Sequence, residues 1–354
     1  MSKVAVIKTS PSTVIEDYKK LMHLAGYQKV IRKNKEIILK LNLSWSLYFP
    51  ACSTEPWQLE GVLKTLKEDG YDTICSVENK TVVTDPWKGA RLNKWLSVLE
   101  KYKLRFTPLT EVKWIKYKPK SEMLAMYEIF PEGFKIPEMF IGKNIIHLPT
   151  IKTHGHTLIT GSIKNAFGGL ITERRHHCHK LIDEVIVDLL TIQKEIHPGI
   201  FAVMDGTVCG DGAGPRTMIP KIKNYILAAE DQVAIDAICA KMMGFDPLKI
   251  KFIKLAHDLG LGTGDPDQIE IIGEDISKIN FHFKTKKSPV VYFDQVLRKK
   301  YSILESLFFH TSLFKLCILG SMFYHDWIWY PTIGKWRIRK FMMTEWGRLF
   351  QQYK

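Results

Sequence analysis

The chain has 354 residues, 45% hydrophobic and 25% charged, a balance that excludes an intrinsically disordered protein and leaves room for one large domain or two moderate ones. Lys and Arg number 51 against 37 Asp and Glu, a net charge of +14. Such an excess implies an anionic partner: a nucleic acid, a lipid surface or an acidic substrate.

In chain order, residues 4–7 form a short apolar run that predicts a strand, and 11–25 carry helical spacing. Strand 36–41, helix 56–67, strand 73–77, helix 87–102 and strand 104–107 follow. The segment 53–56 (Ser-Thr-Glu-Pro) is a cap for the second helix. A lysine-rich stretch around 113–122 reads as a hairpin insertion. The alternation then resumes with strand 144–148, a short helix within 159–168 entered from a loop, helix 181–196 and strands 200–204 and 224–228. Asp231 is the expected N-cap of a helix running to Met243 and closed by Gly244, with helix 247–259 and strand 269–272 after it. Strands alternating with helices of about a dozen residues predict an α/β fold, a largely parallel sheet with helices on both faces. The expected division is an α/β domain over 1–297, divisible into two lobes (1–110 and 140–280), and a helical, aromatic and basic segment over 298–354.

That last segment contains the apolar run 306–323 with Lys315 at its middle, followed by Lys335, Arg337, Arg339 and Lys340. A charge at a bilayer centre is costly, which disfavours a true span. Aromatic and basic residues beside an apolar helix suit a helix lying in an anionic membrane interface. Packing on the core, or a homo-oligomer interface, is the competing reading. The six cysteines (52, 75, 178, 209, 239, 317) form no CxxC pair, so no intrinsic iron–sulfur cluster, zinc ribbon or disulfide scaffold is expected. The N-terminal MSKVAVIKTS has no signal-peptide pattern, and reduced thiols in a cytoplasmic setting are expected.

Chemistry concentrates between residues 147 and 180, where six of the twelve histidines lie: His147, His154, His156, His176, His177 and His179. Neutral imidazoles serve as transition-metal ligands or as bases near pH 7. Lys152, Lys164, Arg174, Arg175 and Lys180 would hold an anion there, and Gly155, Gly161, Gly168 and Gly169 would let a ligand approach the backbone. Polar residues on a glycine-punctuated loop have no packing reason to be there, whereas HHCHK at 176–180 reads equally as a solvated helix entrance. A second constellation follows strand 200–204. Asp205 ends the strand, and Gly206, Gly210, Gly212 and Gly214 are expected to form an extended loop that cradles an anion with Arg216 or acts as a lid. Asp205 is placed to orient a histidine or ligate a metal. Near the N-terminus, Lys40 and Asn42 share one strand face and Glu78 ends the next strand, so in a parallel sheet they open onto the same edge as the histidine block.

The segments Lys40–Asn42, KTHGHTLITGSIKNAFGG (152–169), MDG with GDGAGP (204–215), DQVAIDAICAKMMGFDP (231–247) and LGLGTGDPDQIEIIG (259–273) resemble the domain-of-unknown-function 362 family over roughly 1–275. Many members carry ferredoxin-like cysteine motifs; this chain has none. The spacing of His154 and Lys164, with His177 or His179 farther on, is also similar to nickel-pincer lactate racemases. That likeness implies His154 as acid/base, Lys164 as holder of the cofactor and His179 as a metal ligand.

The leading expectation is a metal- or cofactor-dependent enzyme doing redox or acid/base chemistry on a small anionic or acyl substrate at a membrane surface. His154, Lys164 and Asp205 would be catalytic. Lys40, Asn42, Lys152, Asn165, Gly168 and Gly212 would bind cofactor or substrate, and His154, His177 and His179 would ligate a metal. A redox partner protein fits the same scheme. The alternative is a non-catalytic peripheral membrane adaptor or assembly factor. Nucleic acid is not expected as a partner, because no recognised module accompanies the charge.

Overall fold

The computed structural model describes residues 1–171, 175–300, 308–309, 311 and 313–354. Arg174, and residues 301–307, 310 and 312 of the aromatic segment, lie outside the described residues. Among the described residues the strands are β1 (Ser2–Lys8), β2 (Ile37–Lys40), β3 (Ile74–Glu78), β4 (Phe106–Pro108), β5 (Trp114–Tyr117), β6 (Phe134–Pro137), β7 (Asn144–His147), β8 (Thr150–His154), β9 (Leu158–Ile159), β10 (Ile200–Ala213), β11 (Thr217–Ala229) and β12 (Ile269–Gly273). The main sheet runs β12-β1-β11-β10-β7-β2-β3-β4, with β8 pairing with β10 and β9, while β5 and β6 form the separate antiparallel hairpin.

Most contacts in the sheet are parallel, as the alternating pattern predicts. The antiparallel exceptions are β11, which pairs with both β1 and β10, and the short β9, which pairs with β8. One face is covered by the helices Val14–Leu24, Pro56–Glu68 and Trp95–Lys101, which bury Tyr18, Leu21, Trp57 and Leu63. The other is covered by Ile182–Ile196, Gln232–Met243 and Lys251–Asp258, which bury Ile186, Leu189, Ile235 and Phe252. Asp231 caps Gln232–Met243 by accepting from the N–H groups of Val233 and Ala234, and Gly244 closes the helix in the left-handed region. Before Pro56–Glu68 the chain enters with Pro56 in the first turn, but Glu55 makes no side-chain cap; its Oε1 accepts from Ala51 N instead.

Two expectations are corrected. The predicted helix over 87–102 is two helices, Pro86–Leu92 and Trp95–Lys101, because Lys94 takes a positive φ of 64° between them. The glycine-rich stretch after Met204 is not a loop or lid: it continues β10 to Ala213 and forms a long ribbon with β11. Close packing explains its glycines. A Cβ on Gly206 would come within 2.7 Å of Ile151, and one on Gly210 within 2.2 Å of the Met218 sulfur. Gly here weakens the strand signal in the sequence while making room for β8 and β11.

The strand order reverses between β2 and β7. From β2 the chain proceeds through β3 to β4 on one side; after β7 it proceeds to β10 on the other. Open α/β sheets bind ligands at the carboxyl ends of such strands.

The C-terminal segment packs on this body as the helices Phe314–Met322, Lys335–Met342 and Glu345–Gln352, with a π-helical stretch Phe323–Gly334 between the first two. Trp329 joins Trp45, Phe49 and Met218 in a small core, and Trp45 Nε1 donates to Asp326. Phe341, Trp346 and Phe350 join the main core; Trp346 lies 5.0 Å from Trp57 and donates to Asn224. Among the described residues no helix is long and apolar enough to cross a membrane. Replacing Trp346 with Ala removes a buried indole and should cost about 3–5 kcal/mol of unfolding free energy, measured by denaturant titration. A loss below about 1 kcal/mol would mean that the segment does not belong to the cooperative fold.

Candidate functional site

A cavity of about 200 Å³ lies at the carboxyl ends of β2 and β3. It is lined by Lys40 and Asn42 from β2 and the turn after it, Glu78 from β3, His154 from β8, and Lys164, Asn165 and Gly168 around the helix Asn165–Leu170. Arg175, His176 and His179, from the 3-10 turn Arg175–Leu181, close it. The N-terminal Lys-Asn pair and the central KTH…KN block therefore do converge.

The buried Lys40 Nζ donates to Glu78 Oε1 at 2.8 Å and to the Leu41 carbonyl at 2.6 Å. Gly168 lies directly over this pair: a Cβ there would stand 3.1 Å from Lys40 Nζ and 3.2 Å from Glu78 Oε1. Arg175 donates through Nη2 to the Gly168 carbonyl and through Nε to that of Ile171. Behind the wall, Lys152 Nζ donates to Asn42 Oδ1 and Thr150 Oγ1. Asn42 Nδ2 donates to Asn165 Oδ1, while Asn165 Nδ2 donates to the Lys40 carbonyl and to His147 Nδ1. With Nδ1 accepting, His147 carries its proton on Nε2 and donates to Gln193 Oε1 at 2.6 Å. This buried relay fixes the amides that face the cavity and leaves His147 neutral, its pKa pushed by burial to about 3.

Burial also governs the cations. It lowers Lys164 to about 7, helped by repulsion from Lys152 and Arg175, which favours the uncharged amine far more than in water. Arg175 falls only to about 10, with burial the main cause and Glu78 opposing it, so it remains a cation. Lys164 Nζ and the Arg175 guanidinium lie 5.8 and 6.0 Å from the centre of the Phe167 ring. His154 is held well below its usual value by burial and then by Lys164. Its Nδ1 accepts from the His156 N–H at 3.2 Å, which places the proton of the neutral ring on Nε2. The cavity thus combines a fixed cation, an amine poised near pH 7 and a neutral imidazole N–H donor.

A second cavity, of about 660 Å³, adjoins the first and shares Val82, His176 and His179 with it. Its walls are mostly apolar, including Val82, Val291, Phe309, Phe314 and Ile318, and many of them come from the helices Pro289–Lys300 and Phe314–Met322.

Several residues sit elsewhere than the sequence suggested. Lys152 lines neither cavity and acts through Asn42; burial brings it to about 8. Asp205 orients no histidine: its carboxylate accepts from Tyr18 Oη, Trp57 Nε1 and Thr207, on the face opposite the helix Ile182–Ile196. Gly212 lies in the β10–β11 ribbon with φ 100°, its carbonyl accepting from Thr153 and from the Lys286 N–H. The expected metal set of His154, His177 and His179 does not bring its ligand atoms together, although His154 and His179 line one cavity; His177 meets the His176 ring edge-on. The ligand atoms that do gather are those of His156, His179 and Asp294. Asp294 and the outer cavity were invisible in the sequence, since nothing local to the helix Pro289–Lys300 announces which loop it packs against.

The sequence pattern of the family described as Domain of unknown function (DUF362) matches residues 37–241, more than half of the chain. A thylakoid-associated protein of Synechocystis sp. is 22% identical over 243 residues, covering 67% of this chain and 72% of that protein. No solved structure matches the chain.

The lowered pKa of Lys164 fixes a sign for pH dependence. Between pH 7 and its ordinary value of 10.5 the unfolded chain binds the proton and the folded chain does not, so this group makes stability rise with pH across that window. Lys164→Met removes the penalty. The variant is expected to be more stable than wild type at pH 6–7, with the difference shrinking steadily toward pH 10 in chemical-denaturation curves. A pH-independent difference would contradict the lowered pKa.

Proposed function

We propose that this chain, which belongs to the DUF362 family, is an enzyme that binds an amphiphilic anion and transfers a proton beside a carbonyl group. The observation that carries this reading is the junction of a small cationic cavity, holding a lysine near pKa 7, with a larger apolar one. The anionic head of the substrate would sit against Arg175 and the Lys40–Glu78 pair, and its apolar body among Val291, Phe309 and Phe314. The uncharged Lys164 amine would take the proton, as a base whose pKa matches the working pH, a contribution typically of about 10²–10⁴ in rate. The His154 Nε2–H would donate to the oxygen that gains charge. These roles exchange the ones suggested by the sequence, where His154 was the proton carrier and Lys164 the anion holder. Asp205 and Lys152 would act only by holding the frame.

The reading extends to a membrane surface. Leu316, Leu319, Phe323, Trp327, Trp336 and Met343 are exposed on the C-terminal segment, and Lys335, Arg339 and Lys340 are exposed beside them. Leu316 also lines the outer cavity, so a bilayer met by this face would lie at its mouth. Aromatic and basic side chains in this arrangement favour an anionic interface, and the related Synechocystis protein is named as thylakoid-associated.

Two experiments test these halves. Straight-chain 2-oxo carboxylates of increasing length, incubated with the protein in D₂O, should exchange their C3 protons as followed by NMR. Affinity should improve by about 0.8 kcal/mol per methylene, and Lys164→Met should slow exchange by at least about 10². Absence of both chain-length dependence and exchange would remove the enzyme reading in favour of a non-catalytic adaptor. In vesicle flotation, wild type should bind anionic but not neutral vesicles, with binding strongly reduced in Trp327→Ser/Trp336→Ser. Equal behaviour of the two proteins would remove the membrane half.

A further inference from the structure

We infer that His156, His179 and Asp294 form a binding site for a divalent first-row transition ion, set in the wall where the two cavities meet. This inference does not depend on the proton-transfer reading. One ligand atom from each residue lies within 4.8 Å of the others. The three come from separate parts of the chain: the turn between β8 and β9, the 3-10 turn Arg175–Leu181, and the helix Pro289–Lys300. The His156 and His179 rings are nearly parallel, 13° apart with centroids at 4.7 Å, and His156 Nε2 stands 3.8 Å from Asp294 Oδ2. Donors bound to one ion at roughly 2.0–2.1 Å stand about 3.3 Å apart in a tetrahedral site, and a shared ion must lie in the plane of each imidazole, so closure requires rotation of at least one of the two rings as well as a shift of about 1–1.5 Å.

The surroundings prepare the site. Gly155 lets the helix Pro289–Lys300 come close: a Cβ there would be 2.8 Å from Val291 Cγ1. Gln295 Nε2 donates to the Gly155 carbonyl at 2.8 Å and pins the helix to the turn that carries His156. Asp294 is oriented by Arg298, whose Nε lies 3.1 Å from both carboxylate oxygens, and ligating carboxylates are commonly held by such an outer partner. All three candidate ligands line the larger cavity, and His179 lines both, so the remaining coordination positions would face bound water or a substrate oxygen. Two imidazoles and one carboxylate suit zinc, iron(II), cobalt or nickel better than magnesium or calcium, which prefer all-oxygen sites. His176, adjacent in sequence, is used otherwise: it stacks on Phe314 at 3.7 Å and bonds the Phe309 carbonyl.

The test is titration of chelator-treated, full-length protein with Co(II), read by its visible absorption, followed by displacement with Zn(II). Wild type should saturate at one equivalent and gain thermal stability on Zn(II) addition. His156→Ala and the isosteric Asp294→Asn should each weaken binding by more than about 10-fold, since loss of even an outer partner costs that much. His177→Ala should bind as wild type, and unfolding curves without metal establish that each variant is folded. Lack of a saturable one-equivalent spectrum in wild type, or retention of full affinity in both His156→Ala and Asp294→Asn, would overturn the inference. Lys164→Met, which removes a cation acting on His156 and His179, should still saturate at one equivalent while losing proton exchange, which separates failure of this site from failure of the proton-transfer reading.

Discussion

The cost of burying cations at the carboxyl edge of the sheet is the constraint around which this site is built. Lys40, Lys152, Lys164 and Arg175 are gathered there, and among the described residues the carboxylate in direct ion contact with this group is Glu78, through Lys40. Burying an ion without compensation is prohibitive. Each cation answers the cost differently. Lys40 has its ion pair, Arg175 has two backbone carbonyls, Lys152 has Asn42 and Thr150, and Lys164 gives up part of its charge. The neutral chain from Asn42 through Asn165 and His147 to Gln193 follows from the same demand, because amides and a neutral imidazole satisfy buried donors without adding charge.

The C-terminal segment contributes a second kind of constraint. One of its faces completes the core through Trp329, Trp346 and Phe350, while another stays apolar and exposed from Leu316 to Met343. With the helix Pro289–Lys300 it also builds most of the outer cavity, from residues beyond the 37–241 span matched by the family pattern. Every residue that lines the cationic pocket, from Lys40 to Pro215, is therefore drawn from the family region. The apolar extension and Asp294 lie outside that region. A cationic core and a lining added by a later segment are thus separable in sequence although they touch in space.

Much of the core site was legible because its residues have local reasons to be noticed. Lys40, Asn42, His154, Lys164 and Asn165 are polar residues at strand ends or on a glycine-punctuated turn, where packing alone would not place them. Strand–helix alternation then directs strand ends to one edge. What misled was the glycine-rich run after Asp205. Glycine reads as loop in a single sequence, yet here Gly206 and Gly210 are small because Ile151 and Met218 press on them. Asp205 looked like a site carboxylate for the same reason, and the ribbon that continues past it turns its side chain to Tyr18 and Trp57.

By itself the sequence determined the α/β class, the basic character and the polar block that meets at β2 and β3. These depend on periodicity, composition and residue type, which are local. Only the tertiary structure decided how those residues are protonated and which of them stand together. Desolvation places Lys164 near 7, one backbone N–H selects the His154 tautomer, and the packing of a distant helix brings Asp294 to His156 and His179 in place of the expected His154 and His177. Burial and through-space contact are properties of the assembled chain, and no spacing along it encodes them.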